Sequence, residues 1–162
     1  MMERFNGKYV ATVVDNDDPK RLARVRVEVP EVFGDEPTGW CVPCTPYPGM
    51  GTGLAAVPPV GGLVFVEWTA GDTTRVPIWS GGLWPDGGGV AGSGPETLVL
   101  LTPGGNRVEL RDEEGGEAVE LRSASGAHIT LDGEGIGIAF GSQTVSVTRS
   151  SISVNGGALE VI

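Results

Sequence analysis

Three groups of residues in this 162-residue chain are of types that do chemistry: the acidic run Asp15, Asn16, Asp17, Asp18, the pair Cys41 and Cys44, and the single histidine, His128. A calcium loop counted from Asp15 requires glycine at the sixth position and glutamate at the twelfth; those positions hold Lys20 and Arg26. The run is followed instead by Pro19, and its side chains are of the kind that bond local backbone, so it predicts a solvated turn. A redox cysteine pair normally opens a helix that lowers one thiol's pKa, but Pro43, Pro46 and Pro48 keep the stretch around Cys41 and Cys44 extended. Structural zinc needs two further thiol or imidazole ligands, and there is no other cysteine. Two small thiols packed beside Trp40 in a sheet are therefore expected, with a metal site shared between subunits as the alternative. Ser80, in "WSGG", lacks the Gly-x-Ser-x-Gly elbow, and His128 has no nucleophile near it in sequence. No catalytic residue, metal or cofactor is expected.

What remains is architecture. Twenty-seven glycines and twelve prolines interrupt the chain so often that no window carries a long helical pattern. Val, Ile and Thr dominate between the breaks, which predicts an all-β protein. In "GKYVATVVDNDDPKRLARVRVEVPEV", Val10, Thr12 and Val14 alternate with Tyr9, Ala11 and Val13, and Val25, Val27 and Val29 alternate with Arg24, Arg26 and Glu28. This period of two marks a pair of strands joined through the acidic run. Further strands are expected in "GWCVPCTP", "GLAAVP", "GGLVFVEWTAG" and "RVPIWSGGLW", which fit a small barrel or sandwich over residues 1–84. "LVFVEW" is apolar almost throughout, as in a strand buried on both sides, with Trp68 and Trp79 assigned to the core.

Residues 85–96, "PDGGGVAGSGPE", supply a linker with no side chains able to build a core. The formal charge of −10 is spread unevenly: 7 basic and 11 acidic residues precede Glu96, and 4 and 10 follow from it. This balance argues against nucleic acid and anionic membrane surfaces as stable partners. No signal-peptide core opens the chain, and no later stretch approaches the roughly 20 apolar residues that span a bilayer as a helix.

Residues 97–162 follow a different pattern, a series of apolar dyads with one residue between their members. They are Leu98/Leu100, Val108/Leu110, Val119/Leu121, Ile129/Leu131, Ile136/Ile138, Val145/Val147, Ile152/Val154 and Leu159/Val161. Each reads as a short strand with one apolar face, and "TPGGN", "EEGG", "SASG", "DGEG" and "NGG" as the turns between. Glu109, Arg111, Glu120, Arg122, Thr130, Ser146 and Ser153 are expected to face water. Such repetition marks a solenoid. The seven dyads from Val108 on carry side chains worth about 20–40 kcal/mol if fully buried, and a single layer of short strands has no opposing wall to bury them. Three chains wound together each supply that wall, so an intertwined homotrimer is expected, with Val108, Leu110, Val119, Leu121, Ile129, Leu131, Ile136, Ile138, Val145, Val147, Ile152 and Val154 as its core.

The hairpin sequence above, then "WCVPCTPYPGMGTGLAAVPPVGGLVFVEW" and "PIWSGGLW", resembles the N-terminal oligonucleotide/oligosaccharide-binding (OB) type barrel of central spike proteins of contractile tails. That family includes phage baseplate assembly protein V and the valine-glycine repeat proteins of type VI secretion. "TPGGNRVELRDEEGGEAVELRSASGAHITLDGEG" resembles the same family's passage into its trimeric β-helical spike. The resemblance implies a structural trimer, assembled in the cytoplasm into a phage tail or injection particle. Its barrels would meet a tail-tube or baseplate hub protein, and its β-helix would be driven into the target envelope, transmitting the force of contraction. It implies no cofactor. The muramidase domain of some relatives has no counterpart between barrel and spike, nor does the His-x-His iron tip of some phage spikes. The dyads run to the end of the chain, so Leu159, Val161 and Ile162 are expected to dock a conical tip protein of the PAAR-repeat type. An OB-type binding module and a trimeric tail adhesin are the rival readings.

Overall fold

The computed structural model describes residues 4–161 of the chain. It is all-β, and it divides into two compact units, one ending at Gly88 and one beginning at Gly89.

The first unit is a curled sheet in the strand order β2-β1-β6-β7-β3, formed by β1 (Tyr9–Asp15), β2 (Arg26–Glu28), β3 (Val42–Pro43), β6 (Leu63–Glu67) and β7 (Ile78–Leu83). Pairing is antiparallel except between β3 and β7, where Val42 lies beside Ile78. Just before β3, Cys41 bridges to Val25 at the other edge of the sheet. The segment around Cys41 thus joins both edges and curls the sheet towards a barrel, which removes the exposed edges an open sheet would leave. Shifts in register between Val13 and Asp15, and between Val64 and Phe65, add the local bends that curling needs.

The alternation in sequence decides what lies inside. Ala11 and Val13 of β1, Val25, Val27 and Val29 around β2, and Val64 and Val66 of β6 are each 0–1% exposed, and Cys41, Trp68 and Trp79 close the same cluster. Val10 lies on the outer face, so the inward set of β1 is Ala11 and Val13. "LVFVEW" differs from expectation: Val64, Val66 and Trp68 are buried, while Leu63 and Phe65 are half-buried on the opposite face. "GLAAVP" also differs. Its backbone is irregular after Gly53, and the pairing here belongs to a small hairpin of β4 (Pro48–Gly49) and β5 (Thr52–Gly53). A single helical turn, α1 (Pro30–Phe33), follows β2 with proline at its start, and Phe33 meets Trp68 edge-on at 5.7 Å.

The second unit is one antiparallel meander of eight strands in sequence order: β8 (Thr97–Leu101), β9 (Arg107–Arg111), β10 (Ala118–Arg122), β11 (His128–Asp132), β12 (Ile136–Phe140), β13 (Gln143–Val147), β14 (Ile152–Val154) and β15 (Leu159–Val161). Each expected dyad occupies one strand. Between β11 and β12 the chain turns at Gly135 with φ +148°, where a Cβ would fall 2.0 Å from the Val147 carbonyl oxygen; only glycine fits. The linker stretch, residues 85–96, is partly tied down. Arg107 Nη2 donates to Ala91 O at 3.0 Å, the Thr97 hydroxyl donates to Gly92 O at 3.0 Å, and Gly94 N–H donates to the same hydroxyl at 2.7 Å. Polar side chains of the sheet here replace the packing that the linker's own residues cannot provide.

Candidate functional site

The feature of the second unit with the clearest capacity to act is a sheet face, and strand register builds it. Leu98 pairs with Leu110, Leu110 with Val119, Val119 with Leu131, Leu131 with Ile136, Ile136 with Val147, Val147 with Ile152, and Ile152 with Val161. A second row runs beside it through Leu100, Val108, Leu121, Ile129, Ile138, Val145, Val154 and Leu159, again as direct cross-strand partners. All side chains separated by two residues on a strand share a face, so sixteen aliphatic residues form two unbroken rows on one side. Within the single chain this face is uncovered. Leu110, Val119, Leu121, Leu131, Ile136 and Ile138 are each 39–46% exposed.

The twelve residues assigned to a trimer core from the sequence all lie in these rows. So do Leu159 and Val161, on the last strand; Ile162 lies outside the described residues. Leu98 and Leu100 extend the rows by one strand at the start, and Phe140, 60% exposed, extends the same face at the β12 end. The Leu98/Leu100 dyad was visible in the sequence but preceded the regular spacing, and Phe140 followed a dyad as a third apolar residue.

The opposite face departs from expectation. Glu109 and Glu120 pair directly across β9 and β10, and their side chains are only 12% and 13% exposed. Arg107 Nε donates to Glu109 at 2.6 Å, the Arg111 guanidinium stands 3.9 Å from Glu109, and Arg122 pairs with Glu120. Arginine stems therefore cover carboxylates expected to face water, and the Arg122 guanidinium holds the Glu120 carboxyl below the usual carboxylate range. His128 lies opposite Arg122 and has its Nδ1 3.2 Å from Gly126 O.

Two asparagines fasten alternate turns on one side of the sheet. Asn106, in the β8–β9 turn, accepts the Ala124 N–H of the β10–β11 turn at 3.1 Å. Asn155, in the β14–β15 turn with φ +50°, accepts Thr144 N–H at 2.9 Å and donates to Gln143 at 2.7 Å. Such bonds restrain the meander against shear.

In the barrel, Asp15 accepts the Asp17 N–H at 3.0 Å as the expected turn requires, but Asp18 departs from it. Asp18 is buried. Its carboxylate accepts the N–H groups of Lys20, Leu22 and Arg24 at 2.9, 2.8 and 3.3 Å, and Arg24 Nε at 3.0 Å with a second bond from Arg24 Nη2. The Arg24 guanidinium also lies 5.3 Å from the Trp40 ring centre, a cation–π contact. Arg24 is the chief cause of a carboxyl pKa held far below the ordinary value, and the backbone donors act the same way against the effect of burial. The anchor holds Arg21 and Ala23 at φ +52° and +56°, and Trp79 Nε1 donates to Ala23 O at 3.0 Å. A short carboxylate that can gather several N–H groups was present in "DNDD", but sequence alone did not reveal which acid folds inwards.

The arm so fixed carries Leu22 to the rim of an open cleft of about 910 Å³, whose other walls include Ala23, Cys44, Tyr47, Leu54 and Trp79. Cys41 and Cys44 accordingly part company: Cys41 is buried against Thr38, and burial pushes its thiol up to about 11, while Cys44 is exposed. Ser80 only receives a hydrogen bond from Lys8 Nζ at 2.9 Å.

Residues 9–84 match the family of the type VI secretion system/phage-baseplate injector OB domain, and residues 97–160 match the phage baseplate V C-terminal trimerisation domain. Comparison with curated proteins gives no match. The two matches, in this order along the chain, fall on the curled barrel and on the meander with its aliphatic rows; the chain belongs to the family of baseplate assembly protein V-like spikes.

Proposed function

We propose that this protein is the central spike of a contractile tail or injection-system baseplate, joining the end of the tube to a membrane-piercing tip and transmitting the force of sheath contraction. Membership in a structural baseplate family with a trimerisation domain supplies the coarser part, a homotrimeric baseplate component. The observation that carries the finer part is the pair of continuous aliphatic rows. A face of sixteen aliphatic side chains costs free energy in water, on the order of 1–2 kcal/mol for each one left half-exposed, and three copies brought together remove that cost. In this reading the twelve dyad residues from Val108 to Val154 form the trimer core, and the sheets lie as walls of a prism with their charged faces outward. Backbone hydrogen bonds run along such a prism, so a compressive load falls on many bonds in parallel. The barrel, residues 1–84, seats on a tube or hub protein, and residues 97–162 form the shaft. Leu159 and Val161, on the last strand, dock a PAAR-type tip protein. Assembly takes place in the cytoplasm, and the shaft enters the target envelope on contraction.

The test is the absolute mass of the purified protein by light scattering, repeated on a chain cut after Gly88. The expected result is three times 16.8 kDa for the full chain and a monomer for the barrel alone. A full-length monomer at micromolar concentration would leave the rows without a partner and end the proposal.

A further inference from the structure

Residues 54–57, "LAAV", have the composition of a strand but lack a strand's pairing. After β5, Leu54 N–H still donates to Tyr47 O at 3.1 Å, and Leu54 O accepts the Thr45 hydroxyl at 2.8 Å. Beyond it the N–H and C=O groups of Ala55, Ala56 and Val57 have no protein partner among the described residues. The next bond is at Pro58, whose C=O accepts Asn16 Nδ2 at 3.0 Å. The segment is thus pinned at both ends, exposed between them, and part of the wall of the open cleft of about 910 Å³. Leu22, Tyr47 and Leu54 line the same cleft and are each 57–66% exposed.

Two features show a cleft that is built. The Leu22 N–H is held by the Asp18 carboxylate at 2.8 Å, and the residues on either side of it, Arg21 and Ala23, both lie in the left-handed region. L-residues avoid that region, and backbone strain over-determined by its surroundings collects at functional positions. Here it presents an apolar side chain to solvent, from which the single chain gains nothing. Pro43, Pro46 and Pro48 also line the cleft, so its walls have few conformations to lose when something binds. The ionisable lining residues with permanent charge are Asp17, Asp18 and Arg21, and Asp18 is already engaged by Arg24. One acid and one base remain, a balance that selects neither a polyanion nor a polycation.

We propose that this cleft takes an extended, uncharged segment of a partner protein, which adds as a strand along residues 55–57 and sets apolar side chains against Leu22, Tyr47 and Leu54. In strand addition the main-chain bonds supply affinity and the pockets for alternate side chains supply specificity. Both halves are present here, as open backbone groups beside an exposed apolar patch of the kind that marks interaction sites. The proposal rests on the spike reading, which gives the barrel a tube or hub partner; the cleft supplies the chemistry of that partner's docking element.

The experiment uses the full-length protein and a set of capped, fluorophore-labelled octapeptides in which threonine alternates with valine, isoleucine or leucine. Each has two twins, N-methylated at the odd or at the even amides, which keep the side chains and remove the donors of one edge. The expected result is saturable binding by fluorescence anisotropy, with amide hydrogen exchange at residues 55–57 slowed about tenfold or more. One twin of each binder should weaken about tenfold or more while the other binds, since only one edge of an added strand faces the protein. Leu22→Asp should weaken binding to a similar degree with the trimer mass unchanged. So should Ala55→Pro/Ala56→Pro, which removes two open N–H groups without breaking a bond of the single chain. No binding by any peptide of the set at about 1 mM overturns the proposal. Twins that both bind as the parent does reduce the cleft to an apolar pocket and overturn strand addition. Residues 55–57 already protected in the wild-type trimer assign the cleft to a neighbouring copy and overturn the partner. A wild-type protein that binds the peptides but lacks trimer mass upholds the cleft and ends the spike reading.

Discussion

The barrel and the meander are both built from valine-rich strands and glycine turns, yet they solve burial in opposite ways. In the barrel, curling brings two edges and one face together, and Val25, Val27, Val29 and Val66 reach complete burial inside a single chain. In the meander every strand repeats the same parity, so the aliphatic residues align across the strands on one face that the meander itself does not cover. One is a self-contained fold and the other is a repeating surface that calls for copies of itself, as the trimerisation family to which it belongs indicates. The lesson is that periodicity tells which residues share a face, and the return of the chain decides whether that face is covered from within.

The largest expected effect comes from placing charge in the rows. On an isolated sheet, Ile129→Asp/Ile138→Asp would alter positions open to solvent and change stability by about 0.5 kcal/mol or less per site. In a trimer it buries six carboxylates against one another, which the assembly does not survive. Light scattering should fall to the 16.8 kDa monomer, while near-ultraviolet circular dichroism from the buried Trp68 and Trp79 persists. A double variant that kept full trimer mass would erase the contrast between the units.

A milder change compares the units in the same currency of packing. Ile138→Ala should cost about 2–5 kcal/mol per chain if the residue is buried by neighbours, even though it is 46% exposed in the single chain. Val27→Ala, wholly buried already, should cost about 2 kcal/mol irrespective of protein concentration. Denaturant titration at two concentrations separates them: the transition of the first variant moves with concentration and that of the second does not.

How far the sequence reveals each unit follows the same division. The eight distal strands were legible because each is a local pattern, an apolar dyad between glycine turns, and antiparallel meanders keep sequence neighbours together. The barrel was less legible because its decisive contacts are distant in sequence. Nothing near Cys41 announces its pairing with Val25, and "GLAAVP" has strand composition but no partner to pair with. The positive φ of Arg21 and Ala23 violates their local preferences, and it is held by Asp18 from one side and Trp79 from the other. The shielding of Glu109 and Glu120 was likewise hidden, since it depends on arginines brought alongside by register.

The arm anchored by Asp18 gives the next test. Its folded carboxyl pKa is depressed, so the ionised anchor contributes stability that is fully present above the unfolded value of about 3.9 and is lost as pH falls through and below it. Asp18→Asn should lower the melting temperature of the barrel at pH 7 and flatten its decline between about pH 4 and pH 2. Glu120 is shifted in the same direction by Arg122, so the meander should weaken over the same acid range, and Glu120→Gln should flatten that second transition without moving the first. Calorimetry across the range distinguishes them, and a wild-type barrel transition insensitive to acid would remove Asp18 from its role as anchor.

The smallest expected effect bears on stiffness. Asn106 ties its turn to the β10–β11 turn and Asn155 ties its turn to the start of β13, and both bonds are exposed, so Asn106→Ala should cost only about 0.5–1.5 kcal/mol. Asn155→Ala should cost more, because alanine must also hold the left-handed backbone that asparagine tolerates. Trimer mass should not change in either variant, since neither side chain lies in the aliphatic rows. What should change is local opening: amide hydrogen exchange at Ala124 in the first variant and at Thr144 in the second should accelerate, with the strand centres unaffected. In the barrel Asn16 makes a comparable tie, its Nδ2 donating to Pro58 O at 3.0 Å, and there closure of the sheet also restrains the strands. If exchange at Ala124 and Thr144 stayed at wild-type rates, the turns would be held by the backbone ladder alone, and resistance to shear would belong to register and not to the asparagines.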